Sequence, residues 1–185
     1  MKSNNKFYSI DIYGQKIDLP IIKVKNDLAI AFFNLHGNVG LVEHCGRHLS
    51  KLVDTSVQIL LTAESKGIAL THSLSCHLNL DKFVVARKTK KIYMDGGISE
   101  NVKTIATKNK QQLFLSAYDV ALLKNKNVAI VDDVISTGNS VVALENLVEK
   151  AGGIVVQKLA VLAEGDAKNR TDITYLNSIP FFTNF

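Results

Sequence analysis

The chain has 185 residues, 46% hydrophobic and 21% charged, enough for one compact domain with a substantial core over residues 1–185. No apolar run approaches the roughly 20 residues that cross a bilayer, and the start, MKSNNKFYSID, lacks the apolar segment of a secretory signal, so a cytoplasmic protein is expected. The formal charge of +5 suits nucleic acid, an acidic membrane surface or a small polyanionic substrate, and its sign alone selects no partner.

Tyr8, Ile10 and Ile12 alternate with polar neighbours, and Ile22 and Val24 do so again before the turn residues Asn26-Asp27 and the run LAIAFF. Residues 1–37 therefore read as short antiparallel strands. From Asn38, a candidate cap, Leu41, Val42, Cys45, Leu49, Leu52 and Val53 recur at helical spacing. VQILL (57–61), FVVA (83–86), NVAIV (127–131) and IVVQKLAVLA (154–163) are too short for helices and rich in β-branched residues. Between them, GIALTHSLSCHL and SVVALENLVEKAGG have helical spacing, the second ending at Gly152-Gly153. Strands alternating with helices predict an α/β fold, a central mostly parallel sheet flanked by helices, with ligands at the carboxyl ends of its strands. The polar, basic segment 88–111 stands apart, broken by Gly96-Gly97, and reads as a long flexible flap.

VAIVDDVISTGNSV (128–141) carries the chemistry. A buried strand delivers Asp132 and Asp133 to its carboxyl end, and Ile135, Ser136, Thr137, Gly138, Asn139 and Ser140 turn the chain into a helix. Exposed backbone N–H groups and a positive helix end attract phosphate, and the Ser136, Thr137 and Ser140 hydroxyls can donate to it. Carboxylates repel phosphate; they suit sugar hydroxyls or a divalent cation. A ribose 5-phosphate carrying a metal-bound diphosphate satisfies both halves. Another α/β protein, a response regulator or ATPase-like site, could also place Asp-Asp at a strand end, but the chain has no GxxxxGK[ST] loop.

The stretch resembles the phosphoribosyl diphosphate (PRPP) binding motif of the type I phosphoribosyltransferases: four hydrophobic residues, two acidic, one hydrophobic, two variable, Thr-Gly, one variable, then Thr or Ser. LLTAESKG resembles the diphosphate loop of adenine phosphoribosyltransferases, where Lys66 replaces the usual Arg. That likeness implies diphosphate binding by Glu64, Ser65, Lys66 and Gly67, with a non-proline cis peptide at Glu64–Ser65. In VVARKTKK, Arg87 and Lys88 fall where the family's Arg-Lys pair meets the diphosphate. Glu164 resembles the family's glutamate near the base.

Residues 1–37 would form a hood over a purine, and 88–111 the flap. Overall order and length look most like the adenine enzymes, which implies transfer from PRPP to adenine, with Mg²⁺ as cofactor, Asp132, Asp133 and Arg87 as the catalytic group, the aspartates also touching the metal indirectly, and a symmetric homodimer. Two departures bear on the base. Thr107 stands where adenine enzymes carry a flap glutamate, and Thr107-Lys108 is more like the bacterial xanthine enzymes. Yet Gly165 stands where those enzymes place a lysine after the glutamate. A xanthine or hypoxanthine enzyme is thus the alternative, and a PRPP-sensing regulator the second. Regulators of this kind carry an N-terminal winged helix of roughly 70 residues; the residues before Asn38 read as strands, so no nucleic-acid partner is expected. His44 and His48 lie one helical turn apart without the glutamate of HExxH, and Cys45 and Cys76 form no CxxC pattern; all four read as structural.

Overall fold

The computed structural model describes residues 6–25, 27–103 and 111–183. Its centre is a five-stranded sheet built from β4 (Ile59–Ala63), β5 (Phe83–Ala86), β8 (Asn127–Ile135), β9 (Ile154–Glu164) and β10 (Thr174–Ile179), in the order β10-β9-β8-β4-β5. Every pairing in it is parallel. Such a sheet is covered on both faces, which is why its strands read as continuous apolar runs. Ile59, Leu61, Val128 and Ile130 face one core, and Leu60, Ala129, Val131 and Leu159 the other. Each fully buried leucine among them contributes about 1.5–3 kcal/mol relative to exposure.

One face carries α3 (Ala117–Leu123) and α4 (Asn139–Lys150); the other carries α1 (Val39–Ser50) and α2 (Gly67–His77). Asn38 caps α1 as its sequence suggests, its Oδ1 accepting from Leu41 N–H at 3.1 Å. The α3 helix is absent from the sequence reading. Its seven residues are too few to show a period, and its marker is the reciprocal capping box of Ser116 and Asp119.

The N-terminal strands β1 (Phe7–Ile12), β2 (Gln15–Lys25) and β3 (Leu28–Ala31) form an antiparallel sheet, and β11 (Phe181–Thr183) joins it at the far end of the chain. The hood is therefore closed by a strand that the local pattern does not announce. Within the expected flap, β6 (Ile98–Val102) pairs antiparallel with β7 (Gln111–Leu115). Lys150 ties this hairpin to α4 through Glu100 (2.7 Å) and the Ser99 carbonyl (3.1 Å). Thr107 lies outside the described residues. No helix among the described residues is long and apolar enough to cross a membrane.

Candidate active site at the carboxyl ends of the central strands

From β4 the chain passes to β5 on one side, whereas β8, β9 and β10 build out on the other. Where the order reverses, the connections leave in opposite directions and a crevice opens beyond the carboxyl ends of β4 and β8. Residues 64–67 end β4 there, and Asp132-Asp133 lie in the last turnings of β8. A strand alternates its side chains, so the two aspartates point to opposite faces.

Three cavities meet at this crevice. The largest, about 350 Å³, is lined by Glu64, Ser65, Lys66, Lys88, Asp132 and Asp133, with Ser140 and His36 at its walls. A second, about 120 Å³, is wrapped by Ile135, Ser136, Thr137, Gly138, Asn139 and Ser140, with Asp132 at its mouth. The third, about 180 Å³, lies under the hood between Phe32, Phe33, Ile179, Glu164, Lys66 and Asp133. Asp132 belongs to the first and second, Asp133 to the first and third.

Gly138, the N-cap of α4, has φ +78°, a left-handed angle that strains any residue with a Cβ, and it lies in the loop that wraps the 120 Å³ cavity. Gly67 begins α2 for a different reason. A Cβ there would stand 2.3 Å from Thr62 Oγ1 and 3.3 Å from the Val131 carbonyl, so only glycine lets α2 seat its first turn on the strands. The Glu64–Ser65 peptide is cis, as the resemblance implies.

Charge in the crevice is unevenly matched. Asp133 is buried, and its Oδ2 has no hydrogen-bond donor; its cation is Lys66, whose Nζ stands 3.4 Å away. Asp132 accepts the Asp133 N–H at 2.9 Å, and burial, then the neighbouring Asp133 charge, pushes its carboxyl up to about 7. Burial also raises Glu164, against the Ser136 hydroxyl and the Lys66 charge. Glu64 moves the other way, held low by the Lys88 N–H it accepts at 2.9 Å and by Arg87.

The two basic candidates just after β5 and the one from the 64–67 loop are not all placed together: Lys66 and Lys88 line the 350 Å³ cavity and Arg87 does not. Arg87 faces a separate cavity of about 430 Å³ with Tyr93, Met94, Ser116 and Asp119, its Nη2 held 3.2 Å from Glu64 Oε1 and its Nε buried without a partner. Lys66 turns its ammonium toward the hood, 3.4 Å from the Phe33 carbonyl and 5.1 Å from the centre of the Phe32 ring.

Residues that sequence reasoning passed over complete the site. His36, without any partner pattern in the sequence, approaches Ser65 Oγ at 3.4 Å. Phe32, Phe33 and Ile179 wall the hood cavity; the signal for the first two is only that apolar residues follow β3 of the antiparallel sheet, and Ile179 ends β10 of the central sheet. His44 and His48 stack at 4.5 Å, with His44 Nε2 on the Ile12 carbonyl at 2.7 Å, and no group of three ligating side chains occurs among the described residues. Cys45 is buried and Cys76 exposed, both as free thiols.

The family model for the phosphoribosyl transferase domain matches residues 34–180. A hypoxanthine/guanine phosphoribosyltransferase of Methanococcus voltae is 31% identical over 118 residues, which is 64% of this chain and 59% of that protein. One from Methanothermococcus okinawensis is 30% identical over 131 residues, 71% of this chain and 67% of that protein. The chain thus spans about three fifths to two thirds of the length of these relatives. Among solved structures, adenine phosphoribosyltransferase from Rhodothermus marinus superposes with a TM-score of 0.67 at 20% identity, covering 93% of each chain. The Trypanosoma brucei enzyme, in complex with AMP, pyrophosphate and ribose-5-phosphate, gives 0.58 at 21%, covering 76% of this chain and 64% of that one.

Proposed function

The chain belongs to the phosphoribosyl transferase domain family, and from that premise we propose that it transfers the 5-phosphoribosyl group of PRPP to a purine ring nitrogen, releasing diphosphate and a nucleoside monophosphate. The observation that carries this proposal is the meeting of three cavities at Asp132 and Asp133. PRPP has an anion at each end of a sugar. The 135–140 loop suits the 5-phosphate, the 350 Å³ cavity suits the diphosphate, and the hood cavity receives the base; the sugar then lies across the two carboxylates.

In the reaction the C1–O bond to diphosphate breaks, the C1–N bond to the purine forms, and the ring nitrogen gives up its proton to the released diphosphate or to water. Bond breaking leads, so positive charge grows on the sugar while negative charge gathers on the leaving group. Asp132 and Asp133 accept the ribose hydroxyls and stabilise the first. Lys88 and the N–H groups of residues 65–67 stabilise the second, and Arg87 orders them by anchoring Glu64. The loop grips the 5-phosphate and fixes C1 within reach of the hood. A flap closing on the hairpin base would keep water from taking the purine's place.

Magnesium fits this donor set. It takes one or two carboxylates and completes its shell with phosphate and water oxygens, and Asp133 Oδ2 is a buried acceptor without a donor. Asp132 and Asp133 would hold it directly or through water, and when bound it supplies charge neutralisation to the diphosphate.

For the base, adenine is the first reading. The hood cavity offers acceptors, Glu164, Asp133 and the Phe33 carbonyl, to an exocyclic amine. A lysine at position 165 is sterically barred: a Cβ on Gly165 would meet the Phe181 ring at 2.2 Å, and its φ is +61°. A 6-oxopurine is the second reading, supported by the names of the relatives about 30% identical and by Lys66, whose ammonium lies in that cavity.

Incubation with Mg-PRPP and adenine, hypoxanthine, guanine or xanthine in turn, with diphosphate and monophosphate quantified, tests the activity and ranks the bases. Asp132→Ala with Asp133→Ala should abolish transfer and PRPP binding. PRPP binding without product from any base, together with salt-dependent DNA binding, would identify a regulator instead. A homodimer is the assembly proposed with this activity, and light scattering measures it.

A further inference from the structure

The turn after β9 brings Arg170 back to the start of α4. Its guanidinium donates twice to Asp172, from Nε at 2.9 Å and from Nη2 at 2.7 Å. The nitrogen outside that fork, Nη1, lies on Gly138: a Cβ built on the glycine would stand 2.2 Å from Nη1 and 3.4 Å from Cζ. Asp172 is itself fixed by Lys158 at 2.9 Å, and Lys158 reaches Glu145 of α4 at 2.6 Å. The chain of contacts therefore touches α4 twice, at its N-cap through Arg170 and Gly138, and nearly two turns later through Lys158 and Glu145. A bidentate Arg-carboxylate pair fixes the plane of the guanidinium as well as its place.

We propose that Arg170 is a positioning residue for the 5-phosphate: held by Asp172, it packs on the left-handed turn at Gly138 and sets the curvature of the 135–140 loop from outside. It rests on the phosphoribosyl transfer proposed above. Gly138 is then required twice, for its backbone angle and for the room its missing Cβ leaves to a cation behind the phosphate. Arg170 does not line the 120 Å³ cavity, whereas Gly138, on which its guanidinium packs, does. Its effect is on the shape and field of the loop, and no contact with the ligand is involved.

The test reads the two ends of PRPP separately. Arg170→Ala and Arg170→Gln should weaken ribose 5-phosphate binding in calorimetry, and raise KM for PRPP, by roughly tenfold. Diphosphate, which occupies the other cavity, should bind as it does to the wild type. Arg170→Lys, which keeps the charge but loses the fork, should recover part of the loss. Gly138→Ala should be less damaging in the Arg170→Ala background than alone, because the 2.2 Å clash has gone. Equal losses for ribose 5-phosphate and diphosphate, or strict additivity of the two substitutions, would overturn the positioning role. Wild-type protein that binds diphosphate but neither PRPP nor ribose 5-phosphate would overturn the function on which it rests. If Arg170→Ala fails to fold, Asp172→Asn, which frees the guanidinium without removing it, carries the same comparison.

Discussion

Replacing Asp132 by Asn should make the ligand-free protein more stable at pH 8 while removing its activity. The native fold places two neighbouring carboxylates at the end of β8, and Asp132 is raised from 3.8 to about 7 by burial and then by the Asp133 charge. A shift of that size costs the ionised native state about 4 kcal/mol at the limit. Asp132 is only half-buried, so water in the crevice reduces the figure, and about 2 kcal/mol is the expected gain. Asn keeps an oxygen for the Asp133 N–H, so the hydrogen bond at 2.9 Å survives.

The sign follows from proton counting. Between pH 3.8 and about 7 the native state holds a proton that the unfolded chain has released, so wild-type stability falls as pH rises through this window. Above it the deficit is complete. Thermal melts in chelator should therefore show Asp132→Asn ahead by roughly 4–8 °C at pH 8 and by clearly less at pH 5. An equal gain at both pH values would mean that the pair's ionisation is not the source. A loss at pH 8 would refute the electrostatic reasoning outright.

Lys66→Met should raise KM for the base about tenfold, with a smaller effect on PRPP, because the ammonium faces the hood cavity and Asp133; steady-state kinetics with each substrate varied would expose the reverse pattern. Gly67→Ala should cost about 1–3 kcal/mol in urea unfolding through its clash with Thr62 Oγ1, and Thr62→Ala in the same chain should restore part of it. A thiol reagent at pH 8 should label exposed Cys76 in the native protein and Cys45 only after unfolding, since burial pushes the Cys45 thiol up to about 12; counting modified thiols with and without denaturant decides it.

What the sequence discloses about this molecule depends on how far apart the cooperating residues lie. The strand, aspartate pair, loop and helix of 127–150 are contiguous, so one stretch of chain displays the β8–α4 unit, although β8 runs four residues past NVAIV, through the aspartates to Ile135, and α4 ends at Lys150. FVVA is read to the residue because both faces of β5 are buried or half-buried and its ends are polar. Strand β11 is three residues long and derives its stability from β3, some 150 residues earlier, which no local pattern encodes. The same holds for Arg170 on Gly138. Side-chain direction is a further gap: Arg87 and Lys88 are adjacent in sequence, but strand alternation sends them to different cavities.

The arrangement of charge also limits what the site can bind well. A free phosphate in the 135–140 loop gains its N–H groups but lies beside Asp132, and a free diphosphate meets Lys88 beside both aspartates. Each alone is an anion brought toward two carboxylates that, among the described residues, share a single close cation, Lys66 on Asp133. On the proposed function, PRPP would place hydroxyl donors, and the magnesium it carries, between its anionic ends, so that the middle of the ligand would answer the aspartates while its ends would occupy the two cavities. Selectivity for the whole donor over its fragments would then arise from Asp132 and Asp133. Their cost to the stability of the ligand-free fold and the ribose-holding role proposed for them would have one origin, two like charges at the end of a buried strand.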